Sequence, residues 1–210
     1  MTRGLSTAGG RGSIAVCLSA YRFGAADPTT RLGNGEFWRA SFTPTGAATM
    51  RIAWSPGGID AEAWGEGKDW MLQRVTAMTG ELDAGYEFED AHPAVLRAQR
   101  NHPNVRFGAS HMLFHELLPT ILGQRITAGE AIRQWHVLCR RLGEPAPGPA
   151  PGLLLPPSPA ALAGRPAWWF HPLGIEAKRA DALRAMARHA GKLWAWAALP
   201  TADAAAKLAL

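Results

Sequence analysis

The chain has 210 residues, 47% of them hydrophobic and 19% charged, which excludes a disordered polypeptide and provides for a sizeable core. It holds no run of about 18 apolar residues, so a membrane-spanning helix is not expected. The net charge of +5 hides a split: residues 1–90 carry eight Lys/Arg and eleven Asp/Glu, net −3, and residues 91–210 carry fourteen and six, net +8. A basic second half suits an anionic partner such as nucleic acid, and equally an ordinary basic surface.

Residues 1–12, with Arg3 and Arg11 and no apolar stretch behind them, read as a flexible start rather than a secretion signal. Cys17 and Cys139 are far apart and sit in apolar patterns, so they read as buried free thiols of a reducing, cytoplasmic protein. Residues 13–90 have strand texture. Ile14, Val16 and Leu18 alternate with Ala15, Cys17 and Ser19; Trp38, Ala40 and Phe42 with Phe37, Arg39 and Ser41; Met50, Ile52 and Trp54 with Thr49, Arg51 and Ala53. Period two with β-branched and aromatic residues predicts strands half-buried on one face. Gly33-Asn34-Gly35 reads as a turn. Thr43-Pro44-Thr45-Gly46 supplies a hairpin turn between the second and third runs. Trp70, Val75 and Met78 predict a helix ending at Gly80. The expected unit is a small α+β domain, an antiparallel sheet backed by one or two helices.

From residue 91 to 210 the texture is helical. Leu113, Phe114, Leu117, Leu118 and Ile121 recur at helical spacing, with Ser110 as the expected cap and a kink expected at Pro119. Thr127 and Glu130 form a T-x-x-E capping box. The helix that follows has the stripe Ala131, Ile132, Trp135, Leu138, Cys139 and Leu142, with Gly143 expected as a left-handed C-terminal cap. Residues 143–159 hold seven prolines and predict an extended connection within the helical domain. Ser158-Pro159 then caps a new helix. Further helices are expected over residues 176–189 and from Thr201 to the end, where Leu-Ala-Leu without a stop signal suggests a helix cut short.

Several chemistries are disfavoured. Gly33-Asn34-Gly35 precedes a strand rather than a helix, so it is no phosphate loop. Gly108-Ala109-Ser110-His111 is followed by methionine where a nucleophile elbow needs glycine. His111 and His115 are four apart but lack a third ligand, so no metal is expected. Trp168-Trp169-Phe170 suits a packed core better than base stacking.

Three segments are distinctive: Leu122-Gly123-Gln124-Arg125-Ile126-Thr127 between two helices; residues 156–164, PPSPAALAG; and residues 173–183, LGIEAKRADAL. In this order they resemble the 3-methyladenine DNA glycosylase II family of the helix-hairpin-helix glycosylase superfamily. The first is similar to the family's I-L-G-Q element, the second to its P-T-P helix, and the third to its L-G-x-x-x-K-R-A helix start. The resemblance runs from about residue 13 over most of the chain. It implies a TATA-binding-protein-like N-terminal sheet domain followed by an all-α glycosylase domain.

The resemblance also implies a reaction: extrusion of a methylated purine from double-stranded DNA and hydrolysis of its bond to deoxyribose, with no cofactor or metal. By resemblance Gln124 lies at the mouth of the base pocket, and Arg125 fills the gap left in the duplex. The best-known family wedge is a leucine, but a guanidinium can stack on bases and pair with phosphate too. Lys178 and Arg179, in the first turn of their helix, are candidates for phosphate contact, or a solvated face. The family's catalytic aspartate follows a glycine-rich hairpin that is not found here; Asp181 and Asp203 do not match its position. The expectation is therefore a monomeric glycosylase whose chain stops before its catalytic segment and is inactive alone. A non-catalytic DNA-binding or lesion-sensing protein on the same scaffold is the alternative.

Overall fold

A computed structural model describes the backbone of residues 3–5 and 11–208, and the side chains of residues 14–208. In chain order its elements are β1 (Arg3–Leu5), α1 (Arg11–Ser19), β2 (Thr30–Gly33), β3 (Glu36–Thr43), β4 (Gly46–Ser55), β5 (Gly58–Gly65), α2 (Lys68–Leu72), α3 (Val75–Met78), α4 (Pro93–Asn101), α5 (Leu113–Leu122), α6 (Ala128–Leu142), α7 (Pro159–Ala163), a 3-10 helix (Ala167–Leu173), α8 (Ala177–Arg188), α9 (Ala190–Trp196) and α10 (Thr201–Leu208). The strands make one antiparallel sheet in the order β1-β5-β4-β3-β2. The fold is α+β, as expected.

Two readings of the N-terminal part are corrected. Part of the stretch expected to be flexible, Arg3–Leu5, pairs with β5; the rest of residues 1–10 lies outside the described residues. The first predicted strand is helix α1. Ile14, Cys17, Leu18 and Tyr21 are buried, at spacings i, i+3, i+4 and i+7, while Val16 is 54% exposed. The segment fits both periods, and packing under the sheet selects the helical one.

The Pro44-Thr45 hairpin forms as predicted. Gly46 has φ +123°, and the Thr43 hydroxyl accepts from Thr45 N–H at 3.2 Å and donates to Gly46 C=O at 2.8 Å. A second tight turn joins β4 to β5, with Ser55 paired to Gly58. One face of the sheet, with Phe37, Met50, Ile52, Ile59 and Ala61, closes on α1 and on Met71, Val75 and Met78 of α2 and α3.

The other face is covered as well, so β3 is not half-buried. Residues 143–159 fold back onto it. Pro145 bridges Leu154, Leu154 N–H bonds Pro28 C=O at 2.8 Å, and Ala150, Leu153 and Leu155 pack on Ala40 beside Trp38 and Phe42. Burying each leucine contributes roughly 1.5–3 kcal/mol, which is why a proline-rich segment is held in place. Gly143 has φ −76° and ψ 148°, extended rather than left-handed. Glycine is needed there for room: a Cβ would lie 2.4 Å from Cys139 O and 2.5 Å from Leu155 O.

The second core gathers Phe114, Leu118 and Leu122 of α5, Trp135, Leu138 and Cys139 of α6, Phe170 of the 3-10 helix, and Ala180, Leu183 and Ala187 of α8. Trp135 is fully buried, as is Phe170, whereas Trp168 is 73% exposed. Ser110 is not the cap of α5, which begins after Met112. Its hydroxyl accepts from Met112 N–H at 3.1 Å and donates to Glu116 at 3.0 Å. Pro119 lies within α5, which ends three residues later. Thr127 accepts from Glu130 N–H at 3.3 Å, giving half of the capping box. The Glu130 carboxylate turns instead to Gln134, 3.2 Å away. Both cysteines are buried and free, and burial raises both thiol pKa values, which suppresses the reactive thiolate.

Polar side chains join the two cores. Arg39, 1% exposed, donates to Tyr21 C=O at 2.6 Å, to Thr30 at 3.2 Å and to Glu116 at 2.7 Å. Asp27 accepts from Phe23 N–H, Thr29 N–H, the Thr29 hydroxyl and Trp135 Nε1–H, at 2.7 to 3.1 Å. His115 sits between Ser41 at 3.0 Å and Thr29 at 3.2 Å. Desolvation, then Arg39, hold its pKa well below 6.5. The folded protein keeps this imidazole neutral, while the unfolded chain protonates it near pH 6.5. Its contribution is therefore complete above pH 6.5 and is lost as pH falls from there toward the depressed folded value. Thermal midpoints between pH 7.5 and 5 are expected to fall, with a shallower fall in His115→Gln; equal slopes would assign the acid sensitivity to other groups.

Gly108 is the tightest point under α1. A Cβ would lie 2.2 Å from Met78 O and 2.3 Å from Tyr21 Oη. Gly108→Ala is expected to cost about 1–3 kcal/mol by overpacking, read as a lower denaturant midpoint at unchanged slope.

Candidate nucleic-acid interface

The turn between α5 and α6 carries Gln124 and Arg125, both exposed. Arg125 has φ +59°, one of three non-glycine residues with positive φ among the described residues. A left-handed arginine costs of order 1 kcal/mol unless its surroundings hold it. Here the hold is Arg179. Its guanidinium donates to Leu122 C=O, the end of α5, at 2.8 Å, to Gln134 Oε1 of α6 at 2.7 Å, and to Gly174 C=O, before α8, at 3.3 Å. Gln134 Nε2 also donates to Gly174 C=O at 2.6 Å. Gly174 has φ +80°, and a Cβ there would lie 3.1 Å from the Arg133 guanidinium, so glycine is required for conformation and for space.

Arg179 is thus corrected as a phosphate contact. It is 5% exposed and both terminal nitrogens of its guanidinium are committed inside the protein. It is a positioning residue that ties the Gln124–Arg125 turn to the start of α8. Lys178, its neighbour, is exposed, on the first turn of α8. The structure brings this turn and Lys178 to one junction, with the exposed Arg133 beside it.

Gln134 and Arg133 were not singled out from the sequence. A signal existed: Gln134 falls within the apolar stripe of α6 between Ala131, Trp135 and Leu138, and is fully buried. A polar residue in such a stripe has to be paired.

The carboxylates nearest in sequence, Glu130 and Glu176, are exposed. Asp181 is exposed and bonds Arg184 at 2.9 Å, Asp203 is exposed on α10, and Asp27 is consumed by its four donors. His111 and His115 share no face: His111 precedes α5 and bonds Ala197 C=O at 2.8 Å, while His115 points into the core. Among the described residues no group of three His, Cys, Asp or Glu is placed to hold a metal. No described helix is long and apolar enough to cross a membrane.

Solved structures share this fold. A 3-methyladenine DNA glycosylase from Archaeoglobus fulgidus superposes with a TM-score of 0.70 at 16% identity, over 95% of this chain and 70% of that one. The two chains share one fold. The structure of MBOgg1 in complex with a low-affinity DNA ligand matches with a TM-score of 0.53 at 11% identity, over 82% of this chain and 59% of that one. No family model and no curated protein sequence matches the chain.

Proposed function

We propose that the chain is the DNA-engaging scaffold of a base-excision repair glycosylase of the 3-methyladenine type, acting on double-stranded DNA that carries alkylated purines. The observation that carries this reading is the exposed, left-handed Arg125 beside Gln124, pinned through Arg179 to the start of α8, in a DNA glycosylase fold. Arg125 enters the stack where the base leaves, Gln124 meets the extruded base, and Lys178 neutralises a phosphate. Unstacking costs a few kcal/mol, which a stacked guanidinium offsets. Hydrolysis of the N-glycosidic bond passes through an oxocarbenium-like state that a desolvated carboxylate stabilises. Among the described residues no buried carboxylate faces this turn, so the reading assigns binding and extrusion to it. The same observation favours a second reading, a lesion-sensing protein that binds without cleaving.

The deciding experiment pairs release of free base from alkylated duplex with a binding titration, on this chain and on a C-terminally extended form. Release by the extended form alone supports a glycosylase, binding without release by either supports a sensor, and absence of binding by both rejects the two readings. Arg125→Gly is expected to relieve the positive φ and raise stability by up to about 1 kcal/mol while weakening duplex binding. A stability gain with unchanged affinity would remove Arg125 from the interface.

A further inference from the structure

Helix α4 buries none of its nine residues. Val95, Ala98 and His102 share one side of it and open into a cavity of about 450 Å³, closed opposite by Tyr86, Phe88 and Phe107. Tyr86 contacts both other rings, stacked on Phe88 with centroids 6.3 Å apart and edge-on to Phe107 at 5.7 Å. They are nonetheless 59%, 48% and 65% exposed. Gln99 fixes the wall, donating to Tyr86 C=O at 2.6 Å and accepting from Phe88 N–H at 3.4 Å. An apolar patch held open in this way marks a binding surface rather than a packing defect.

The charge around it indicates the occupant. Glu87 lines the cavity, and Glu89 and Asp90 follow Phe88 directly in the chain; all three are exposed, and among the described residues none of them is in an ion pair. Arg97 and Arg100 lie on the opposite side of α4, each two positions on from Val95 and Ala98. The Arg106 guanidinium is turned onto Pro103 and Val105 C=O at 3.0 and 2.8 Å. The Glu87–Asp90 side of the rim is therefore acidic on a protein of net charge +5, with Arg106 the one cation in the lining among the described residues, and that side repels DNA phosphate and attracts cations. We propose that this groove docks a peptide segment of a partner protein, with an aromatic or leucine anchor in the cavity and flanking Lys/Arg on the carboxylate rim. Such docking requires nothing of the Gln124–Arg125 turn and holds whichever activity the chain has.

The test is selection of a phage-displayed random dodecapeptide library on the full chain, with counter-selection on the Tyr86→Ser/Phe107→Ser double variant. Both side chains are exposed, so the variant is expected to keep the wild-type melting temperature. Enriched peptides should carry an apolar anchor flanked by Lys/Arg. Their Kd should rise at least about tenfold in the double variant, as loss of aromatic anchors gives, and rise also in Glu87→Lys/Glu89→Lys and with added salt. The proposal is overturned by no enrichment over the variant, or by enrichment of acidic or uncharged peptides. It is equally overturned if the double variant abolishes self-association in sedimentation, or abolishes single-stranded DNA binding, since the groove then serves a second copy or a base.

Discussion

Arg39→Met is expected to lower the thermal midpoint by roughly 6–12 °C, corresponding to about 3 kcal/mol in a chain of this size. Arg39 lies on the sheet, and its guanidinium joins the end of α1, the start of β2 and Glu116 of α5. Methionine fills similar volume but donates nothing, so Tyr21 C=O loses a donor in a buried setting. Glu116 limits the loss: its side chain is 35% exposed and keeps the Ser110 hydroxyl, so water can solvate it. Arg51 is the control. It faces Glu36, Asp60 and Glu62, but the partners are 38–46% exposed. Arg51→Met should cost no more than about 1 kcal/mol, since exposed pairs contribute little. Calorimetry on both variants decides the point; equal midpoints would mean that Arg39 does not hold the two cores together.

The second large effect is expected at Arg179, where stability and DNA affinity should fall together without any contact to DNA. Arg179→Met leaves Leu122 C=O and Gln134 Oε1 without their donor inside a packed junction, a loss of about 2–4 kcal/mol. Without that anchor the turn carrying the left-handed Arg125 is free to relax, so duplex affinity should drop severalfold. Lys178→Ala gives the contrasting pattern: an unchanged melting temperature, weaker binding, and a log K against log salt slope smaller by about 1. Urea denaturation and a salt-dependent titration separate the two residues. A destabilised Arg179→Met that binds with wild-type affinity would show that the turn needs no pin.

Local signals in the sequence carried the helical half well. Thr127 and Ser158 accept the N–H groups that cap α6 and α7, and α8 spans Ala177–Arg188 within the predicted 176–189. Such caps act within a single turn, whereas the caps expected at Ser110 and Gly143 gave way to other contacts. Strand β5 was not read from the sequence: Ile59, Ala61 and Ala63 alternate after Ser55-Pro56-Gly57-Gly58, but this short alanine-rich face is a weak apolar signal. At 14–21 the same residues satisfied period two and the helical stripe. Only contact with Met71, Val75 and Met78 under the sheet decides between them.

By itself, then, the sequence determined the α+β class, the hairpin at Pro44-Thr45, the caps at Thr127 and Ser158, the basic second half and the segments that suggested a DNA glycosylase. Tertiary structure alone decided the rest. Residues 143–159 cover the sheet because apolar area on Ala40, Trp38 and Phe42 was available to Leu153 and Leu155. Arg179 turned inward because Leu122 C=O, Gly174 C=O and Gln134 converge on it from three elements. Arg125 takes a positive φ because that junction holds both ends of its turn. Each of these depends on groups distant in sequence meeting in space, and local pattern carries no record of that.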